Sequence, residues 1–143
     1  MEVFVDTIKE FQRIMDTQAD LSLATIGTDG IPNVRIVNYY FNPKNNVIYF
    51  ATFKDNEKVN EMEQNRNVAF TTIPKKSNEH IKARGIAIRS EQTVFDLADL
   101  FCDKIPGYKN TIEFAGNSLI LYEIHFETAT VTLDLSDIQT IKL

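Results

Sequence analysis

Residues 21–58, LSLATIGTDGIPNVRIVNYYFNPKNNVIYFATFKDNEK, constrain the fold more than any other stretch of this chain. Three apolar runs are joined by two turn signals, and the third run ends in a charged segment that opens a helix. Gly27-Thr28-Asp29-Gly30 and Asn42-Pro43-Lys44-Asn45-Asn46 hold the residue types that tight turns demand. Links this short join antiparallel strands, because a parallel crossover needs a dozen residues or more. The runs predict strands over Leu21–Ile26, Asn33–Phe41 and Val47–Phe53. Pro32 stands at the entry to the second, where a missing N–H is tolerated. In that second strand Val34, Ile36, Asn38 and Tyr40 share one face, and Arg35, Val37, Tyr39 and Phe41 the other. Both faces are largely apolar, so both are expected to meet packed material.

The flanking segments complete a mainly β, α+β pattern. Phe4, Ile8, Phe11 and Met15 recur at helical spacing and predict an amphipathic helix over residues 2–16. Lys54-Asp55-Asn56-Glu57-Lys58 enters a short helix capped by Asp55 or Asn56, with Val59 and Met62 facing inward. Further strands are predicted over Asn67–Ile73 and His80–Arg89. The central Gly85 of the latter implies a bulge or a close backbone approach. Ser90 is read as the cap of a helix whose stripe is Val94, Leu97, Ala98 and Phe101, and Tyr108–Gly116 is ambiguous. Ser118–Leu135 reads as one long strand. Its apolar residues change parity near Glu127-Thr128, which requires a bend, as at a barrel corner. Ile138–Leu143 is read as an edge strand or ordered tail. Six or seven strands without regular strand–helix alternation predict a small antiparallel barrel with peripheral helices. At 143 residues the chain is expected to form one domain, residues 1–143.

Composition narrows the partners. The net charge is −5 and the basic residues are scattered, so a nucleic-acid partner is not expected. The one cysteine, Cys102, cannot form an internal disulfide. No apolar run approaches the roughly 18 residues that span a bilayer, and the acidic, amphipathic N-terminus is not a signal peptide. The expectation is a cytoplasmic protein without a membrane partner. His80 and His125 share no metal-ligand spacing with each other or with Cys102, so no metal is assigned.

Three cations carry the functional reading. Arg35 stands mid-strand among Val37, Tyr39 and Phe41. A buried guanidinium is costly unless paired, and its planar fork suits a carboxylate or a phosphate. A structural ion pair with an Asp or Glu, or a side chain snorkelling at a barrel rim, accounts for it equally. Lys54 and Lys58 flank a helix N-terminus, where cations are locally unfavourable and anions bind. Either Asp55 and Glu57 neutralise them in water, or an anion shared with Arg35 does.

Ala24-Thr25, Asp29-Gly30-x-Pro32, Val34-Arg35-x-Val37, Tyr49-Phe50-x-Thr52, Lys58, Asn67-Val68-Ala69-Phe70 and Ala83-Arg84-Gly85-x-Ala87 occur in that order. This ordered set resembles the pyridoxamine 5′-phosphate oxidase-like family of flavin-binding split β-barrels, in detail over residues 3–90 and in outline beyond. The resemblance implies a homodimer with FMN in a groove between subunits. It implies that Arg35 contacts the FMN phosphate or ribityl chain. Ile36, Val37 and Asn38 would line the flavin ring, partly through backbone groups, with Thr52 near the ring or ribityl and Lys58 on the phosphate. Asn56 stands where the family often has Ser, and its amide can still hydrogen-bond a phosphate. The C-terminal segment with Arg and Trp that pyridoxamine phosphate oxidases use is not in this sequence, which has no Trp. A short family member is therefore expected, not a pyridoxamine phosphate oxidase. The implied function is an FMN-dependent oxidoreductase acting on a small molecule, with no catalytic side chain assigned. The alternative is a non-catalytic module of the same fold that holds flavin, haem or deazaflavin.

Overall fold

The computed structural model describes residues 6–143. Among these residues the fold is an open antiparallel sheet of nine strands with four α-helices. Helix α1, Thr7–Thr17, is capped by the Asp6 carboxylate, which accepts from Lys9 N. It buries Phe11, Ile14 and Met15. Ile8, in its first turn, is exposed where the stripe predicted burial. Phe4 and Val5 of the predicted stripe lie outside the described residues.

Strands β1, Asp20–Ile26, and β2, Pro32–Asn38, form the first hairpin in full register, with Leu23 opposite Arg35. The predicted strand 33–41 does not continue straight. At Tyr39 the chain leaves β2 and starts β3, Tyr40–Asn42, which pairs with β4, Val47–Phe53, at the other end of the sheet. Tyr39 holds this corner: its N–H donates to Ala19 O, and its fully buried hydroxyl donates to Met15 O at 2.9 Å. One predicted strand is thus two, and the early strands form two hairpins on opposite ends of the sheet.

The sheet runs β2-β1-β5-β6-β7-β4-β3, with β5 at Asn67–Thr72, β6 at His80–Arg89 and β7 at Leu119–His125. Strand β8, Thr128–Asp134, pairs with the first half of β6 and with the last strand, β9, Asp137–Lys142. The predicted parity change is real. Ile120, Tyr122, Ile124 and Phe126 are buried before Glu127, and Ala129 and Val131 after it. The long strand therefore breaks into β7 and β8, which follow each other along one edge of β6. Gly85 lies opposite the break: a Cβ there would stand 2.3 Å from His125 O. These two breaks and the paired tail raise the predicted six or seven strands to nine.

Two cores result. One fills the curl of the sheet around Phe11, Leu23, Phe50, Ile81, Tyr122 and Phe126. The other lies under helices α3, Ala98–Lys104, and α4, Tyr108–Ala115, and contains Val94, Leu97 and Phe101. Ser90 does not cap α3, which begins eight residues later. Its hydroxyl instead donates to Glu123 at 2.7 Å and accepts from Gln92 N. The intervening residues form turns that bury Val94 without a regular helix.

Candidate functional site

Helix α2, Glu57–Gln64, packs against β1 and β6 and brings Lys58 near Arg35, two of the three predicted cations. Asn56 is its cap: the side-chain Oδ1 accepts from Lys58 N at 3.1 Å. This orientation leaves the Asn56 NH₂ free of any protein partner among the described residues. The helix turns Lys58, Glu61 and Met62 inward, at the 3–4-residue spacing of one helical face.

Lys58 is 7% exposed and donates from Nζ to Thr52 Oγ1 at 2.7 Å. Among the described residues no carboxylate pairs with it; Asp55 and Glu57 point to solvent. Burial, helped by the nearby Arg35 charge, pushes the Lys58 ammonium below its ordinary range. An ammonium only donates, so the Thr52 oxygen accepts. The Thr52 hydroxyl hydrogen is then left to donate elsewhere, and no acceptor for it is found among the described residues. A buried cation and a hydroxyl donor side by side can together hydrogen-bond an anion.

Arg35 has a partner. Its Nη2 donates to Glu61 Oε1 at 2.9 Å, and its Nη1 donates to Thr25 Oγ1 at 2.6 Å. Thr25 in turn donates to Glu61 Oε1 at 3.0 Å, and Asn33 donates to Glu61 Oε2. The Glu61 side chain is 2% exposed. Burial alone would raise its carboxyl. The hydrogen bonds from Asn33, Thr25 and Arg35, with the Arg35 charge, outweigh that and hold it below the usual range. Gly27 stands at the hairpin turn, where a Cβ would fall 2.7 Å from Ile31 O and from Asp29 Oδ1, and 3.2 Å from Glu61 Oε2. The ion pair is the structural alternative that the sequence left open for Arg35.

The other predicted residues lie on β2. Val37 packs against the barrel core, and Asn38 donates to the Asp20 carboxylate. Ile36 is 65% exposed and Val34 70%, so one face of β2 is not covered within the chain, against the expectation of two packed faces. No other strand among the described residues pairs with the outer edge of β2. Half of its backbone N–H and C=O groups therefore face outward. Lys54 is exposed, and only its backbone is tied down, to Ser118 O.

Sequence reasoning missed Glu61, Thr25 and Asn33. Glu61 carried a signal: it lies three residues after Lys58 on the face shared with Met62. A strand arginine among apolar residues calls for an anionic partner, and Glu61 is the one the fold supplies. Among the described residues no group of His, Cys, Asp and Glu is arranged to hold a metal ion. No helix among them is long and apolar enough to cross a membrane.

A protein-family comparison matches residues 14–138 to the model described as pyridoxamine 5′-phosphate oxidase-like. The chain belongs to this family. Solved structures agree on the fold. General stress protein 26 from Bacillus anthracis str. Sterne is 18% identical with a TM-score of 0.75, over 97% of this chain and 100% of that one. A haem-binding protein from Mycobacterium smegmatis is 12% identical with a TM-score of 0.79, over 99% of this chain and 60% of that one. ChuZ from Campylobacter jejuni is 16% identical with a TM-score of 0.82, over 99% of this chain and 61% of that one. This oxidase-like chain thus spans about three fifths of the length of the last two. Such low identities establish fold alone. No match was found among curated proteins.

Proposed function

We propose that this chain is an FMN-binding flavoprotein, a flavin-dependent oxidoreductase acting on a small molecule as a homodimer. The observation that carries the reading is Lys58: a buried ammonium at a helix start, bound to Thr52 and unpaired by any carboxylate among the described residues. Lys58, Thr52 and the free amide of Asn56 would take the phosphate, with Arg35 beside them. The outward backbone edge of β2 at Ile36, Val37 and Asn38 would take the ring, consistent with recognition through main-chain groups. The exposed Val34 and Ile36 give a second copy of the chain an apolar surface beside that edge. FMN, when bound, supplies the redox chemistry, and the protein supplies binding, orientation and electrostatics. The test is an absorption spectrum of the purified protein, followed by titration with FMN. Bound or bindable flavin that Lys58→Met weakens supports the reading. A protein that binds no flavin refutes it.

A separate observation favours a second reading, a cofactor-holding module without turnover. One structure of similar fold is described as a haem-binding protein. Here His125 lines an open cleft of about 770 Å³ with Asn67, Arg84 and Glu127. Its Nε2 lies 2.8 Å from Glu123 Oε1, an orientation that leaves Nδ1 for a ligand. Haem titration distinguishes this reading, since a Soret shift that His125→Ala abolishes supports it over the flavin.

A further inference from the structure

We propose that the cleft lined by Lys54 and Arg89, at the end of β6 and the start of β7, is a separate binding site for a small aromatic carboxylate. The inference goes beyond the flavin reading and does not rest on it.

Lys54 is the predicted cation that the Lys58 site does not use. It lies midway in sequence between Thr52 and Asn56, yet it lines a different cavity, of about 280 Å³. Its backbone N–H, bonded to Ser118 O, holds it there. Arg89, the last residue of β6, lines the same cavity. Among the described residues neither cation forms a salt bridge. Glu91 also lines the cleft, and two cations against one carboxylate leave the lining positive. The exposed amides of Gln92 and Asn117 stand on the same wall and can donate to an anion. The hydroxyls of Ser90 and Thr93 are already committed, to Glu123 and to Asp96.

The cleft limits the size and shape of the anion it can hold. Ligand cavities run about 300–1,000 Å³. This one, at about 280 Å³, takes a single substituted ring and not a nucleotide or a flavin. Phe95 and Leu119 add apolar groups to the wall. Phe95 is 51% exposed, and its ring lies against Gly116, where a Cβ would fall 2.6 Å from Phe95 Cζ. An aromatic face held in this way offers a stacking surface to a second ring. The planar fork of Arg89 suits a carboxylate, which accepts two parallel N–H bonds, and Lys54 adds a point charge. Charge, size and the aromatic wall together select an aromatic carboxylate over a larger or a neutral molecule.

Benzoate is the probe and benzamide its uncharged counterpart. Both are titrated into the intact protein without added flavin and followed by heteronuclear NMR. Benzoate is expected to bind with a dissociation constant of about 1 mM or below, and to shift the backbone amide signals of Lys54, Gln92 and Asn117. Benzamide is expected to bind more weakly. Lys54→Gln and Arg89→Gln are each expected to weaken benzoate roughly fivefold, the upper end for an exposed ion pair, and to leave benzamide unchanged. Both side chains are exposed, so neither variant disturbs the core. Lys109→Gln makes the same change of charge at an exposed side chain outside the cleft, and is expected to leave benzoate binding unchanged. No benzoate binding, benzamide bound as tightly as benzoate, or an affinity that neither cleft variant lowers overturns the inference. Inorganic phosphate bound as tightly as benzoate also overturns it, since the aromatic wall would then contribute nothing. None of these outcomes touches the flavin reading, and a failure to bind FMN leaves benzoate binding in the cleft standing.

Discussion

Removing Arg35 by an Arg35→Ala substitution tests the electrostatics of this site through stability. The guanidinium side chain is 23% exposed, and its partner Glu61 is 2% exposed. Breaking a fully buried pair costs 3–5 kcal/mol, because the surviving charge has no partner. Here Thr25 and Asn33 still donate to Glu61, and water can enter where Arg35 was exposed. The expected loss is therefore smaller, about 2–3 kcal/mol. Urea denaturation at neutral pH measures it, read as a lower midpoint at unchanged slope. The pH dependence separates charge from packing. The native pair holds the Glu61 carboxyl below its ordinary range. Its contribution is present above the unfolded carboxylate value and is lost as pH falls through the lowered folded value. In the variant the Arg35 hydrogen bond and charge no longer lower the carboxyl, so less stability is gained as pH rises through the carboxylate range. The gap between native and variant must thus be small in acid and widen to its full value towards neutral pH. A gap below about 0.5 kcal/mol at neutral pH, the ordinary range for surface substitutions, refutes the ion-pair argument. A gap that is the same at every pH means that the loss is packing.

Three other outcomes follow from the structure. Gly85→Ala places a methyl group 2.3 Å from His125 O at the β7–β8 bend. It should cost about 1–3 kcal/mol as overpacking, read as a lowered melting temperature. Lys104 donates to Met15 O and stands 3.7 Å from the Tyr39 ring centre, and burial lowers its ammonium to about 8. The unfolded chain then binds more protons above about pH 8, so stability rises with pH there until the tyrosines ionise. Lys104→Met should flatten that rise in denaturation curves between pH 7.5 and 9.5, values chosen to bracket the window. Ile36→Glu puts a charge on the exposed apolar face of β2. If this face joins two copies, the variant sediments as a folded monomer where the native chain sediments as a dimer; a variant that remains dimeric removes β2 from the interface.

The fold was readable wherever its cause is local. Turn residues and alternation placed β1, β2 and β4, and the parity change at Glu127-Thr128 foretold the bend because a pleated strand cannot switch faces without one. The break at Tyr39 was not readable. Residues 33–41 alternate as well as any strand, and the corner is imposed by distant partners, Ala19 and Met15. Ser90 shows the same limit. It has the chemistry of a helix cap, but Glu123, 33 residues on, takes its hydroxyl instead. At the candidate site, residue type and order marked Arg35 and Lys58 as cations in the wrong surroundings. Which of them is neutralised depends on a contact between residues 26 apart in sequence, Arg35 and Glu61. Periodicity, turn chemistry and the helix cap at Asn56 are properties of neighbouring residues, and the chain carries them wherever it goes. Charge compensation depends on which groups share a low-dielectric space. The packing of α2 against the β1–β2 hairpin makes that choice, pairing Arg35 and leaving Lys58 open.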